Sequence, residues 1–87
     1  MKKITMFMQA TCPHCKRALG WMEELYAANP GYKAIEIEMI DEQKHPDIAD
    51  KYGYYYVPTY YVGEEKCHEG VASLEIIQAV FDTAMED

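Results

Sequence analysis

Chain-breaking residues are scarce in this 87-residue sequence, which has four prolines and five glycines. That scarcity excludes collagen-like and low-complexity architectures. With 49% apolar and 26% charged residues, the composition also argues against intrinsic disorder. Basic residues are few as well: eight Lys and Arg stand against fifteen Asp and Glu, for a net charge of −7. The acids are scattered along the chain, so attraction to a phosphate backbone or an anionic lipid surface is not expected, and neither nucleic acid nor a membrane is a predicted partner. No apolar run approaches the ~18 residues that a membrane-spanning helix needs. Three cysteines cannot close a disulfide framework. The start Met1-Lys2-Lys3, followed by Ile4 to Ala10, imitates a very short signal peptide. Cleavage near Ala10 would remove the only candidate for a first strand, so the reducing cytoplasm is the expected setting. What remains is a single folded domain over residues 1–87, expected as a monomer, whose small size demands a compact core.

The patterning along the chain predicts the element order βαβαββα. Lys3 to Gln9 is short and apolar, as in a buried strand, and Pro13 suits the first turn of a helix capped by Cys12. That helix is predicted from Pro13 to Ala28, with Ala18, Leu19, Met22, Leu25 and Tyr26 on its buried face and Asn29-Pro30-Gly31 as its stop. Tyr32 to Ile40 alternates with period two, which predicts a second strand with Ile35, Ile37 and Met39 on one face. His45-Pro46 opens a short helix, and Gly53 is expected to close it in a left-handed conformation. Pro58 cannot lie inside a central ladder, so the third strand begins at Thr59, and Gly63-Glu64-Glu65 turns into a fourth strand that Gly70 ends. Ser73 caps a last helix with Leu74, Ile77, Val80, Phe81 and Ala84 as its stripe.

Cys12-Pro13-His14-Cys15 carries the chemistry. Two thiols three positions apart can close a small disulfide, and a helix N-terminus stabilises the thiolate of the first. Cys12 is therefore read as the attacking sulfur and Cys15 as the resolving one. A protonated His14 adds positive charge beside Cys12, and Lys16 and Arg17 raise the local potential slightly. The same spacing is half of a zinc knuckle, which makes a metal or iron-sulfur carrier the rival function. Cys67-His68 could supply two more ligands, but neighbours on a strand point to opposite faces, so no metal site is predicted.

At these residues the chain resembles the thioredoxin superfamily, and within it the glutaredoxin-like minimal domain. The resemblance covers essentially the whole chain: strand, C-P-x-C at a helix start, strand, short helix, V-P-T, hairpin, final helix. It implies a minimal thioredoxin fold, α/β with a four-stranded mixed sheet and three helices, and a dithiol disulfide oxidoreductase that exchanges electrons with protein disulfides. Thr11-Cys12-Pro13 is similar to the glutaredoxin lead-in, whereas Pro46, Ala49, Tyr52 and Gly53 with Val57-Pro58-Thr59 are closer to thioredoxin. The C-P-H-C tetrad is similar to that of the periplasmic disulfide oxidases, whose inserted helical domain this chain is too short to hold. The resemblance places the family's cis-proline at Pro58 and gives the Val57 backbone the task of meeting a substrate peptide.

The chain departs from the glutathione-using pattern at two places. Gln9 stands where those proteins usually carry a lysine, and Glu69-Gly70-Val71-Ala72-Ser73 replaces their Gly-Gly pair with following acids. A negative Glu69 disfavours an anionic ligand, although Ser73 and the helix N-terminus could still receive a carboxylate. The predicted substrate-binding residues are thus Thr11, Val57, Pro58, Gly70 and Ser73. No cofactor beyond the dithiol is expected, and the electron donor stays open between a reductase and glutathione. Tyr54, Tyr55, Tyr56, Tyr60 and Tyr61 flank Pro58, and some of these rings are expected to border the site, with Tyr60 or Tyr61 packed in the sheet. Trp21 is expected to be partly buried, Cys67 an inert buried thiol, His45 and His68 surface or capping residues, and the six methionines core filler.

Overall fold

Strand β1 (Ile4–Met8) lies at the centre of the computed structural model, which describes residues 1–86. Ile4, Met6 and Phe7 expose no surface, as alternate residues of a strand do when both faces of its sheet are covered. β1 pairs in parallel with β2 (Ile37–Asp41) and antiparallel with β3 (Thr59–Val62), which in turn pairs antiparallel with β4 (Glu65–Glu69). The result is a four-stranded mixed sheet in the order β2-β1-β3-β4. A parallel pair needs a crossover, and helix α1 (Pro13–Ala28) supplies it with the boundaries expected from the sequence.

One face of the sheet packs Ile4, Met6, Tyr60 and Val62 against Ala18, Met22 and Leu25 of α1 and against Ile77, Val80, Phe81 and Ala84 of the last helix. The opposite face gathers Phe7, Ile40 and Tyr61 under Ala49 of the short helix α2 (Pro46–Ala49). The last helix, α3 (Leu74–Met85), starts as predicted, with the Ser73 hydroxyl accepting the Ile76 N–H at 3.1 Å. This is the thioredoxin-like α/β architecture. Among the described residues, no helix is long and apolar enough to cross a membrane.

Several local expectations are corrected. After α1 the chain enters a 3-10 turn, Pro30–Ala34, so β2 begins at Ile37 and not at Tyr32. Asn29 starts that turn by accepting the Gly31 N–H on its side chain at 3.1 Å, and the Tyr32 ring goes into the core. In β2, Met39 is 53% exposed while Ile40, on the other face, is buried. Ile35 is buried and Ile37 half-buried against the core as expected, so the expected face fails at Met39, and Ile40 is buried because Ala49 of α2 lies over the opposite face. Gly53 is not left-handed: among the described residues only Gly63 and Gly70 have positive φ. Cys67 is exposed and not buried. The pairing shifts at Tyr60 and Tyr61, whose partners are His68 and Lys66, and this leaves Cys67 on a bulge of the edge strand β4. Of the methionines, Met6 and Met22 are buried, but Met1, Met39 and Met85 are exposed.

Candidate active site

β1 and β2 end at the same edge of the sheet, because they are parallel, and the antiparallel β3 begins there. The last register pairs are Met8 with Asp41 and Phe7 with Thr59. Three segments therefore meet beyond this edge: Gln9 to Cys12 leading into α1, Glu42 following β2, and Val57-Pro58 preceding β3.

Pro13 takes the first helical position and Cys12 the cap, in extended backbone with φ −77 and ψ 123. The Gln9 carbonyl accepts the Cys12 N–H at 3.0 Å, which bends the chain from strand to helix. No side-chain hydrogen bond closes the cap, so the first-turn N–H groups are available to a charged sulfur. The Cys15 N–H, and after it the His14 N–H and the Cys15 thiol, hold the Cys12 pKa below that of an ordinary thiol. Partial burial and the Glu42 charge work against them. His14 contributes to this through its main-chain N–H, and the residue itself is exposed.

Cys15, one turn further along α1, has no exposed surface, and its burial pushes the thiol up to about 11. Hydrogen bonding to Cys12 and the Glu42 charge push it the same way, while the Gln9 N–H, 3.5 Å from the sulfur, opposes them. A part-exposed thiol with lowered pKa beside a buried one with raised pKa is the division of labour that attack and resolution require.

Glu42 is the residue that sequence reasoning missed. Its carboxylate accepts hydrogen bonds from the Gln9 side chain on Oε2 and from the Tyr54 hydroxyl on Oε1, the latter at 2.8 Å. The Tyr54 ring stacks on Phe7 with centroids 4.8 Å apart, which fixes the hydroxyl toward Glu42. The available signal was topological: in a βαβ unit, the residue after the second strand shares the sheet end with the helix start.

The Val57-Pro58 peptide bond is cis, and Pro58 is buried. Among the described residues, neither the N–H nor the carbonyl of Val57 pairs with another backbone group. The Pro58 carbonyl accepts the Gly70 N–H at 2.9 Å, and Gly70 has φ +93, a conformation that favours glycine. Thr11 is exposed immediately before Cys12. The structure thus brings Thr11, Cys12, Pro13, His14, Cys15, Val57 and Pro58 to one sheet end and ties Gly70 to it. The Ser73 hydroxyl is engaged in capping α3. Among the described residues, no group of three or more His, Cys, Asp or Glu is gathered to hold a metal ion.

The structure resembles desulfothioredoxin from Desulfovibrio vulgaris Hildenborough, solved in its reduced form, with a TM-score of 0.67 at 23% identity, covering 94% of this chain and 80% of that one. A thioredoxin-like protein from Clostridium perfringens superposes with a TM-score of 0.68 at 24% identity, over 98% of this chain and 71% of its own. At such identities the likeness speaks for the fold. In sequence, the chain is 40% identical over 57 residues to a thioredoxin of Methanocaldococcus jannaschii, a match spanning 66% of this chain and 65% of that protein. The sequence profile of the thioredoxin domain matches residues 2–82. With that match across nearly its whole length, the chain belongs to the thioredoxin-domain family.

Proposed function

We propose that the chain is a thiol-disulfide oxidoreductase that exchanges electrons with protein disulfides through Cys12 and Cys15. The observation that carries this reading is the placement of the two thiols, Cys12 part-exposed at the open cap of α1 and Cys15 buried one turn further on, which lowers the first thiol's pKa and raises the second's. The Cys12 thiolate attacks a substrate disulfide and forms a mixed disulfide, and one substrate sulfur leaves as a thiolate that takes up a proton. Cys15 then gives up its proton and attacks the Cys12 sulfur. The second substrate thiol is released, and Cys12 and Cys15 are left bridged, the substrate having gained two electrons and two protons. Thr11, Pro58 and the Val57 backbone lie at the same sheet end as the sulfur that does this work, and in this reading the Val57 backbone receives the substrate peptide.

No cofactor enters the cycle. A reductase restores the dithiol in this reading, because the Gln9 side chain is neutral and engaged by Glu42, and so offers no cation to a glutathione carboxylate. Reduction of insulin disulfides by the dithiol-regenerated protein tests the reading. Cys12→Ser is expected to abolish turnover, and Cys15→Ser to accumulate a mixed disulfide with the substrate. Full turnover by the Cys12→Ser variant would overturn it.

A further inference from the structure

Three consecutive tyrosines before Val57-Pro58 meet three different fates. Tyr54 turns inward, onto Phe7 and Glu42. Tyr55 and Tyr56 turn outward and are 92% and 71% exposed, which is unusual for adjacent rings of this size. The segment that carries them is nevertheless firmly held. The Glu69 carboxylate of β4 accepts the N–H groups of both Tyr55 and Tyr56 on one oxygen, at 2.8 and 3.1 Å. Its other oxygen takes the Lys66 ammonium at 2.6 Å, and that ammonium also donates to the Gly53 carbonyl at 3.1 Å. The Thr59 hydroxyl donates to the Tyr56 carbonyl, and the Tyr61 hydroxyl to that of Gly53 at 3.1 Å. Residues 53–56 are thus clamped at both ends by side chains of β3 and β4, with Glu69 at the centre.

We propose that Glu69 is a positioning residue for the recognition of protein disulfides: it holds Tyr55 and Tyr56 outward beside Val57-Pro58 as a preformed aromatic contact for the polypeptide that flanks a partner's disulfide. This rests on the oxidoreductase reading above and names the substrate class of that same site. The two N–H groups are occupied by Glu69, so the loop offers ring area and not backbone pairing. Val71, 61% exposed and next to Gly70, extends the apolar surface, and the His68 ring holds that turn through contacts of 3.2 and 2.9 Å to the Gly70 and Val71 carbonyls. The Glu69 carboxylate is itself paired with Lys66, and the exposed Tyr55, Tyr56 and Val71 form an apolar surface next to Val57-Pro58. Its occupant is accordingly an extended segment with apolar side chains around the disulfide, such as a locally unfolded protein presents. A backbone held in place before binding has less freedom to lose on contact, which is how such a clamp raises affinity.

The test compares kcat/KM for insulin and for bis(2-hydroxyethyl) disulfide in the full chain. Glu69→Ala is expected to lower the ratio of the two by roughly five- to tenfold, mainly through KM for insulin. Glu69→Gln, whose amide oxygen still accepts both N–H groups, is expected to recover most of that loss. The double variant Tyr55→Ala/Tyr56→Ala, which keeps the clamp, should show the same fall in ratio even where Glu69→Ala folds poorly. An unchanged ratio in the double variant, equal losses on both disulfides, or no recovery with Gln would overturn the proposal. A wild-type chain that reduces neither disulfide would instead overturn the oxidoreductase reading beneath it.

Discussion

Gln9 directs its backbone N–H at the Cys15 sulfur over 3.5 Å, and through its side chain it also binds Glu42, whose charge opposes ionisation of that same sulfur. One residue therefore joins a dipole that favours the Cys15 thiolate to a carboxylate that disfavours it. Burial outweighs both, so Cys15 holds its proton more tightly than an ordinary thiol while Cys12 holds its own less tightly.

The first consequence is a separation of the two thiols by pH. In a Cys67→Ser background at about neutral pH, iodoacetamide is expected to alkylate Cys12 and to spare Cys15, because the thiolate is the reactive species. Stability follows with opposite signs. Cys12, lowered in the folded state, contributes stability to the reduced protein that is present above its unfolded value of about 8.5 and is lost as pH falls through its folded one. Cys15 is raised, so the folded state retains a proton that the unfolded chain releases, and stability declines as pH climbs from about 8.5 toward about 11. Urea unfolding of the reduced protein across that alkaline range should show the decline in the wild type and a smaller one in Cys15→Ser. Identical slopes would mean that Cys15 is not displaced.

Glu42 provides a second test. Its charge raises both thiols, so Glu42→Gln is expected to lower the pKa of each, seen as a shift of thiolate absorbance to lower pH. The same change replaces a charged acceptor of the Tyr54 and Gln9 hydrogen bonds by a neutral one, at a cost of about 1 kcal/mol in unfolding free energy. A titration that moves upward, or not at all, would show that Glu42 acts on packing alone.

These contacts mark where the sequence stops being legible. Local rules sufficed for α1, whose start is set by Pro13 and whose stripe is set by Ala18, Met22 and Leu25, and for the Ser73 cap, since each depends on neighbours within a turn. They also placed Cys12 at a helix N-terminus, which is the core of the site. They failed where long-range coverage decides: Ile40 is buried because α2 covers the second sheet face, and Cys67 is exposed where a bulge takes it out of the ladder. Glu42 and Glu69 act across 33 and 13 or 14 residues of chain, to Gln9 and to Tyr56 and Tyr55, and no local pattern announces such pairings.

Ser73 was read as a ligand for a substrate carboxylate, and its observed partner is the Ile76 N–H. Loss of a helix cap costs about 1 kcal/mol, which for a domain of this size lowers the melting temperature by roughly 4–8 °C. Ser73→Ala is expected to show that loss in a thermal melt of the reduced protein. Ser73→Asp restores a capping oxygen and should melt near the wild type, even though its charge would repel an anionic ligand. A Ser73→Asp variant as unstable as Ser73→Ala would remove the cap from the account of α3.

Cys67 tests the bulge and the cysteine pairing together. The residue is exposed on β4, while partial burial of its thiol holds the pKa above the ordinary value. In the native oxidised protein, with Cys12 and Cys15 bridged, a maleimide is therefore expected to label one thiol per chain without denaturant, and peptide mapping should place the label at Cys67. The rate is expected to be slower than that of a free cysteine and to rise with pH, since only the thiolate reacts. Labelling that waits for denaturant would return Cys67 to the core, and a label on Cys12 or Cys15 in the oxidised chain would break the pairing on which the proposed cycle depends.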